Sequence, residues 1–164
     1  ERFVSAHSIM ISFEGVPALY FNSLFGTSND KAKYIITGNN RDLNRYRWNH
    51  KNITKKLENT RSKQSIFYKS ITSLLEIRRK QKAFHPNGLR SSINMGSKIF
   101  CFKRQSVDKK QIIICITNLS SKIQKAKINS KFLKWKNLLD YSNNHILDKM
   151  IKLKPFQTVW LSNI

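Results

Sequence analysis

From Leu89 to the C-terminus the chain carries a series of short apolar runs, and that series limits the fold more than any other feature. The runs are 89–95, "KIFCFKR" at 98–104, "QIIICITN" at 111–118, "KIQKAKI" at 122–128, "WKNLLD" at 135–140, "HILDKMIKL" at 145–153 and "FQTVWLS" at 156–162. Ser, Asn, Asp, Gly and Lys separate them, and each run is too short for a helix of ordinary length. Strands at such spacing with polar turns between them predict an antiparallel β-sandwich. "DKK" at 108–110 is the expected hairpin connection between two of them. The boundary of this part is "HPNG" at 85–88, where proline disfavours helical geometry in the residue before it and Asn-Gly supplies a turn.

Before that boundary the period is helical. Phe67, Ile71, Leu74 and Leu75 share one stripe, while Lys69, Thr72, Glu76 and Arg79 lie elsewhere, which predicts an amphipathic helix over 61–83. Residues 1–12 suit the end of another helix. "GVPALYF" at 15–21 is a nearly continuous apolar run with proline at its start, the place where a strand tolerates it. A strand over 17–21 with both faces apolar is what a parallel sheet covered by helices requires. Between the two lies a long polar stretch, 22–60, with a short helix expected near 52–59. The division expected is therefore 1–87, α/β in character, followed by an all-β domain over 88–164.

Charge sets a second bound. Lys and Arg number 31 against 9 Asp and Glu, a formal balance of +22. Such a field attracts any polyanion, so a non-enzymatic basic β domain that binds nucleic acid is the rival reading. The lysines run through every segment instead of forming one block, which favours a compositional bias and makes nucleic acid an unlikely partner. Cys101 and Cys115 sit in apolar runs without a neighbouring histidine, so they suit buried thiols rather than a zinc site. No apolar stretch is long enough to cross a membrane as a helix, and no export signal is visible. A cytoplasmic protein with no membrane partner is the expectation.

The carboxylates are Glu1, Glu14, Asp30, Asp42, Glu58, Glu76, Asp108, Asp140 and Asp148. Glycoside chemistry needs two of them facing one bond from rigid elements, and no pair here has that character. His7, His50, His85 and His145 are scattered, with no serine or cysteine nucleophile beside them. No glycine-rich phosphate loop exists, and no metal or cofactor is expected. What stands out is "NNRDLNRYRW" at 39–48, with Arg41, Arg45 and Arg47 inside seven residues. Arg41 and Arg45 would share a face if 41–46 formed a helical turn, and arginine holds phosphate or carboxylate bidentately. Read alone, they are either a solvated loop or one wall of an anion site. Tyr46 and Trp48 fit the packing of that loop better than the stacking of a sugar or base.

The string "GVPALYFNSLFGTSND…TGNNRDLNRYRW", with the amphipathic helix after it, resembles the C-terminal part of the sucrose phosphorylase branch of the alpha-amylase superfamily. That branch includes the sucrose, sucrose-phosphate and glucosylglycerate phosphorylases. Its eighth barrel strand reads Gly-(Ile/Val)-Pro-x-(Val/Leu)-Tyr-(Tyr/Phe), matching Gly15 to Phe21. Its Gly-x-x-Asn-Asp-like segment matches Gly26 to Asp30. Its Arg-(Asp/Ser/Thr)-Ile-Asn-Arg motif matches Arg41 to Arg45, with Leu43 in place of isoleucine. The resemblance implies the last strand and helix of a (β/α)8 TIM barrel over 1–87 and a β-sandwich over 88–164. A barrel needs about 250 residues, so the catalytic carboxylates are expected upstream of Glu1 and none in this chain. The resemblance further implies a retaining glucoside phosphorylase acting on an α-glucoside and inorganic phosphate. It assigns phosphate and acceptor binding to Arg41 and, less directly, Arg45; the missing N-terminal barrel would be their structural partner, and this piece alone would be inactive.

Overall fold

The computed structural model describes residues 1–128, 135–140, 145–146 and 150–164, with the side chains of 145–146 left aside. Its elements are α1 (Arg2–Ser12), α2 (Phe21–Leu24), α3 (Lys31–Thr37), α4 (Asn40–Asn44), α5 (His50–Glu58) and α6 (Lys63–Arg79). The strands that follow are β1 (Leu89–Asn94), β2 (Ile99–Gln105), β3 (Ile112–Asn118), β4 (Gln124–Lys127), β5 (Trp135–Asn137), β6 (His145–Ile146), β7 (Met150–Leu153) and β8 (Thr158–Ser162). Two compact units emerge: 1–17 with 74–164, and 18–73.

The first unit is built on a six-stranded antiparallel sheet in the order β1-β2-β3-β8-β5-β6, with β4 and β7 forming a second, two-stranded sheet. Alternation along the central strands gives the large sheet two different faces. Ile99, Cys101, Ile114, Ile116, Val159 and Leu161 share a core cluster with Ala126, Ile151 and Leu153 of the small sheet. Asn118, fully buried at the end of β3, ties the two sheets together. Its Nδ2 donates to the carbonyls of Lys122 at 2.8 Å and Lys154 at 2.9 Å, which flank β4 and β7.

The opposite face of the large sheet presents Phe102, Cys115 and Trp160, which lie beside one another in the register. α1 covers it through small residues: Ser5, Ser8 and Ser12 are buried, and the Ser8 hydroxyl lies 2.8 Å from that of Thr158. Phe13 meets Phe102 edge-on at 5.1 Å, and Phe84 meets Trp160 likewise at 4.9 Å. Because β3 is buried on both sides, "IIICIT" reads as an unbroken apolar run instead of alternating.

Two buried arginines secure this second face. Arg78, near the end of α6, donates through Nη1 to the carbonyls of Ile11 and Phe13, and through Nη2 to that of Gly15 at 2.7 Å. Arg104, on β2 and fully buried, donates to Ser12 at 3.1 Å, His85 at 2.8 Å and Gly88 at 3.4 Å. The ring of Phe84 lies 5.6 Å from the Arg78 guanidinium and 5.9 Å from that of Arg104. Burial, followed by the charge of Arg104, draws the Arg78 pKa downward, and burial draws Arg104 downward as well. A Cβ on Gly88 would come within 2.8 Å of the Gln105 carbonyl, so only glycine allows the chain this close to β2.

Several sequence expectations change. Residues 16–20 take no regular secondary structure and Phe21 already opens α2, so the strand expected over 17–21 does not form: among the described residues no strand pairs with this segment. Exposure still alternates there, and Val16 and Tyr20 are open to solvent. The helix expected over 61–83 ends at Arg79, where i to i−3 bonds at Lys80 and Gln81 tighten the last turn. A separate 3-10 turn follows over Lys82–Phe84. The run 145–153 supplies two strands in different sheets; 147–149, with Asp148, lie outside the described residues. The compact units are cut at 17/18 and 73/74, with α1 and the end of α6 grouped with the sheet.

Cys101 and Cys115 are free and buried, on opposite faces of the sheet. Burial pushes the Cys101 thiol up to about 12 and raises that of Cys115 too. Neither thiol should react with a thiol-exchange reagent in the native protein, and both should react at once in denaturant. Replacing Arg78 with Met strands three carbonyl acceptors and should cost about 3 kcal/mol or more in urea unfolding, with Arg78→Lys recovering only part.

Candidate functional site

The loop bearing "NNRDLNRYRW" belongs to the second unit, and side chains reading main-chain carbonyls hold it together. Asn22, almost wholly buried, donates through Nδ2 to the carbonyls of Asn44 at 3.2 Å and Tyr46 at 3.0 Å. The Tyr20 hydroxyl donates to the same Asn44 carbonyl at 3.1 Å, and the Asp30 amide donates to that of Leu43 at 2.7 Å. These bonds fasten 20–30 against 43–46. An aromatic cluster adds to them: Phe25 stacks on Tyr68 at 5.7 Å, and Trp48 sits edge-on to Phe25 at 6.5 Å and to Tyr46 at 4.9 Å. The Trp48 indole N–H donates to the Thr27 hydroxyl at 2.9 Å. Trp48 therefore packs the loop, as its surroundings in sequence suggested. Gly26 makes the close approach possible, with φ at +55° and the Phe67 ring where a side chain would stand.

Local capping sets the helical turns. Asp30 caps α3 by accepting from the Lys33 amide at 3.0 Å, and Gly38 ends that helix at φ +64°. Asn39 caps α4 by accepting from the Arg41 amide at 3.0 Å. The helical turn spans Asn40–Asn44, not 41–46, so Arg41 lies within it and Arg45 is its C-cap, outside the helical backbone; both are exposed.

The acid between them is occupied. Asp42 pairs with the Lys33 ammonium at 2.6 Å and accepts from the Thr37 hydroxyl at 2.8 Å. These two bonds, the Lys33 one foremost, hold its carboxyl below the usual carboxylate range. Among the described residues, neither the Arg41 nor the Arg45 guanidinium donates a hydrogen bond or makes an ion pair. The loop therefore presents two cations while its nearest carboxylate is neutralised by a lysine.

A cleft of about 460 Å³ opens in the same unit, lined by Thr27, Asn29, Asp30, Tyr46, Trp48 and Gln64 among others; the two arginines stand outside its lining. Nothing here carries acid/base chemistry. Asp30 is a helix cap and Asp42 a depressed, paired carboxylate, the reverse of a poised general acid. Among the described residues no three His, Cys, Asp or Glu side chains gather to hold a metal ion. Tyr20, Asn22 and Lys33, which build the loop, escape sequence reading because each acts on groups 9 to 24 residues away.

No family model matches the chain. Among known proteins, the glucosylglycerate phosphorylase of Escherichia coli (strain K12) is 32% identical over 163 residues, 98% of this chain and 28% of that protein. The glucosylglycerate phosphorylase of Spirochaeta thermophila is 29% identical over 119 residues, 73% of this chain and 20% of that protein. The chain thus spans less than a third of the length of these relatives. Among solved structures, the trehalulose synthase MutB from Pseudomonas mesoacidophila MX-45 superposes with a TM-score of 0.72 at 11% identity, over 98% of this chain and 38% of that one. An AmyP variant in complex with maltotriose gives 0.72 at 14% identity, over 98% and 34%. At such identities these structures speak for the fold alone: helical segments plus an antiparallel β domain like the C-terminal part of those enzymes. On the sequence relatives and this fold together, the chain belongs to the C-terminal region of the sucrose/glucosylglycerate phosphorylase branch of the alpha-amylase superfamily (glycoside hydrolase family 13).

Proposed function

We propose that this chain is the C-terminal part of a retaining glucoside phosphorylase and that it supplies the phosphate and acceptor side of the active site. The observation that carries the reading is the 32% identity to a glucosylglycerate phosphorylase across nearly the whole chain. In this reading residues 1–87 end a (β/α)8 barrel, with 17–21 as its eighth strand and α6 as its eighth helix, and 88–164 form the sandwich behind it. The alternating exposure of 16–20 suits a strand whose two neighbours come from elsewhere. Loops at the carboxyl ends of barrel strands build the sites of such enzymes, and the arginine loop follows this segment.

The chemistry requires two displacements. A carboxylate nucleophile upstream of Glu1 attacks the anomeric carbon of an α-glucoside, and the acceptor alcohol leaves with a proton from an acid also upstream. Phosphate oxygen then attacks the glucosyl ester, the carboxylate departs, and α-glucose 1-phosphate forms with retention. Phosphate must approach an anionic site, so cations fixed there lower the barrier to attack. Arg41 and Arg45 meet that need, since Lys33 and Thr37 occupy the intervening Asp42.

Two outcomes follow for measurement. Arg41→Ala in the complete enzyme should reduce phosphorolysis roughly ten- to a hundredfold, the worth of one hydrogen bond to a charged group at about 1.5–3 kcal/mol. Transfer of glucose to water should fall far less, because water needs no cation. Equal loss of both rates would make Arg41 a structural residue. Residues 1–164 alone should show no phosphorolysis of any glucoside; measurable turnover would place a nucleophile within this chain.

A further inference from the structure

The small sheet gathers charge that the sequence spreads evenly. Along β4 and β7 the alternation turns Ala126, Ile151 and Leu153 inward and leaves Lys125, Lys127, Met150 and Lys152 exposed. The register sets Lys125 directly opposite Lys152, and Lys127 opposite Met150. Exposed Ile123 and Lys154 continue the outward parity just beyond the two strands. The outer face is thus four lysines with two aliphatic side chains among them. Among the described residues none of these lysines is ion-paired, and neither strand carries a carboxylate. Like charges directly opposite in a strand pair are destabilising, so an isolated sheet gains nothing from this arrangement.

We propose that this face docks reversibly on an anionic phospholipid surface. Lysine ammonium groups on long stems reach a layer of headgroup charge while their methylenes lie over apolar surface. Ile123 and Met150 stand between them, where they can enter the interface, and basic clusters of this kind are drawn to anionic leaflets. Among its described residues the face has no arginine fork to grip a phosphate bidentately and no aromatic ring on which a base would stack, so nucleic acid fits it less well. Four lysines give a weak, salt-sensitive association and no anchor. The inference is independent of the phosphorylase reading.

Flotation of the full chain with vesicles tests it, using phosphatidylcholine alone and phosphatidylcholine with phosphatidylserine. The chain should float only with the anionic vesicles and be released by high salt. The triple substitution K125Q/K127Q/K152Q should weaken vesicle partitioning roughly a hundredfold. K51Q/K55Q/K56Q, which removes equal charge from α5, should change it less than about threefold. The triple Lys→Arg variant on the small sheet must keep binding, which separates lost charge from lost folding, and M150S should weaken it. Equal loss in both glutamine triples would make the effect one of overall charge and overturn the proposal. So would failure to float with anionic vesicles at low salt, or unchanged flotation of the small-sheet triple with increased self-association, which would make the lysines guards of an open sheet edge. Binding to duplex DNA that the small-sheet triple abolishes, without vesicle binding, would transfer the face to nucleic acid.

Discussion

The first unit depends on two guanidinium groups that have carbonyls, not carboxylates, for partners. Arg78 and Arg104 reach six main-chain oxygens, at residues 11, 12, 13, 15, 85 and 88, with Phe84 against both. A planar fork of donors is what makes this possible, since one lysine ammonium could not span three carbonyls in fixed directions. Buried cations are costly, and here the aligned carbonyl dipoles offset that cost. The residues so gripped form the segment that leaves α1 and the turn that follows α6. Both would otherwise carry unpaired acceptors onto the apolar face of the large sheet. The clamp therefore converts a half-covered sheet into one buried on both faces, which is why β3 can be apolar along its length.

How much of this was legible in the sequence differs by element. The β part could be read because each strand keeps its own local signature: short apolar runs on β2 and β3 with turn residues at 108–110 between them. The division of those strands between two sheets could not. "HILDKMIKL" reads as one strand, and only pairing partners far along the chain place β6 and β7 in different sheets. Arg78 was invisible for another reason. At the end of an amphipathic helix it looks like an ordinary solvated charge, yet Phe67, Ile71, Leu74 and Arg78 form one stripe, and it is the arginine that reaches the carbonyls. The strand expected over 17–21 failed in the opposite way. Its apolar run is right, but a strand is a relation between neighbours, and local sequence cannot supply them.

The arginine loop was legible as chemistry and not as architecture. Spacing would give Arg41 and Arg45 one face only if 41–46 were helical; capping by Asn39 starts the turn, but it ends at Asn44 with Arg45 as its C-cap. Asp42 pairs with Lys33 and accepts from Thr37, contacts within the loop that local sequence does not show. The loop thus pairs its acid with its own lysine, while Arg41 and Arg45 stay exposed.

The most direct test of this account is a crystal structure of the complete enzyme, with this chain at its C-terminal end and inorganic phosphate bound. The phosphate should lie within hydrogen-bond distance of the Arg41 guanidinium, with Asp42 still held by Lys33. Phosphate held wholly by residues upstream of Glu1, with Arg41 directed into solvent, would contradict it.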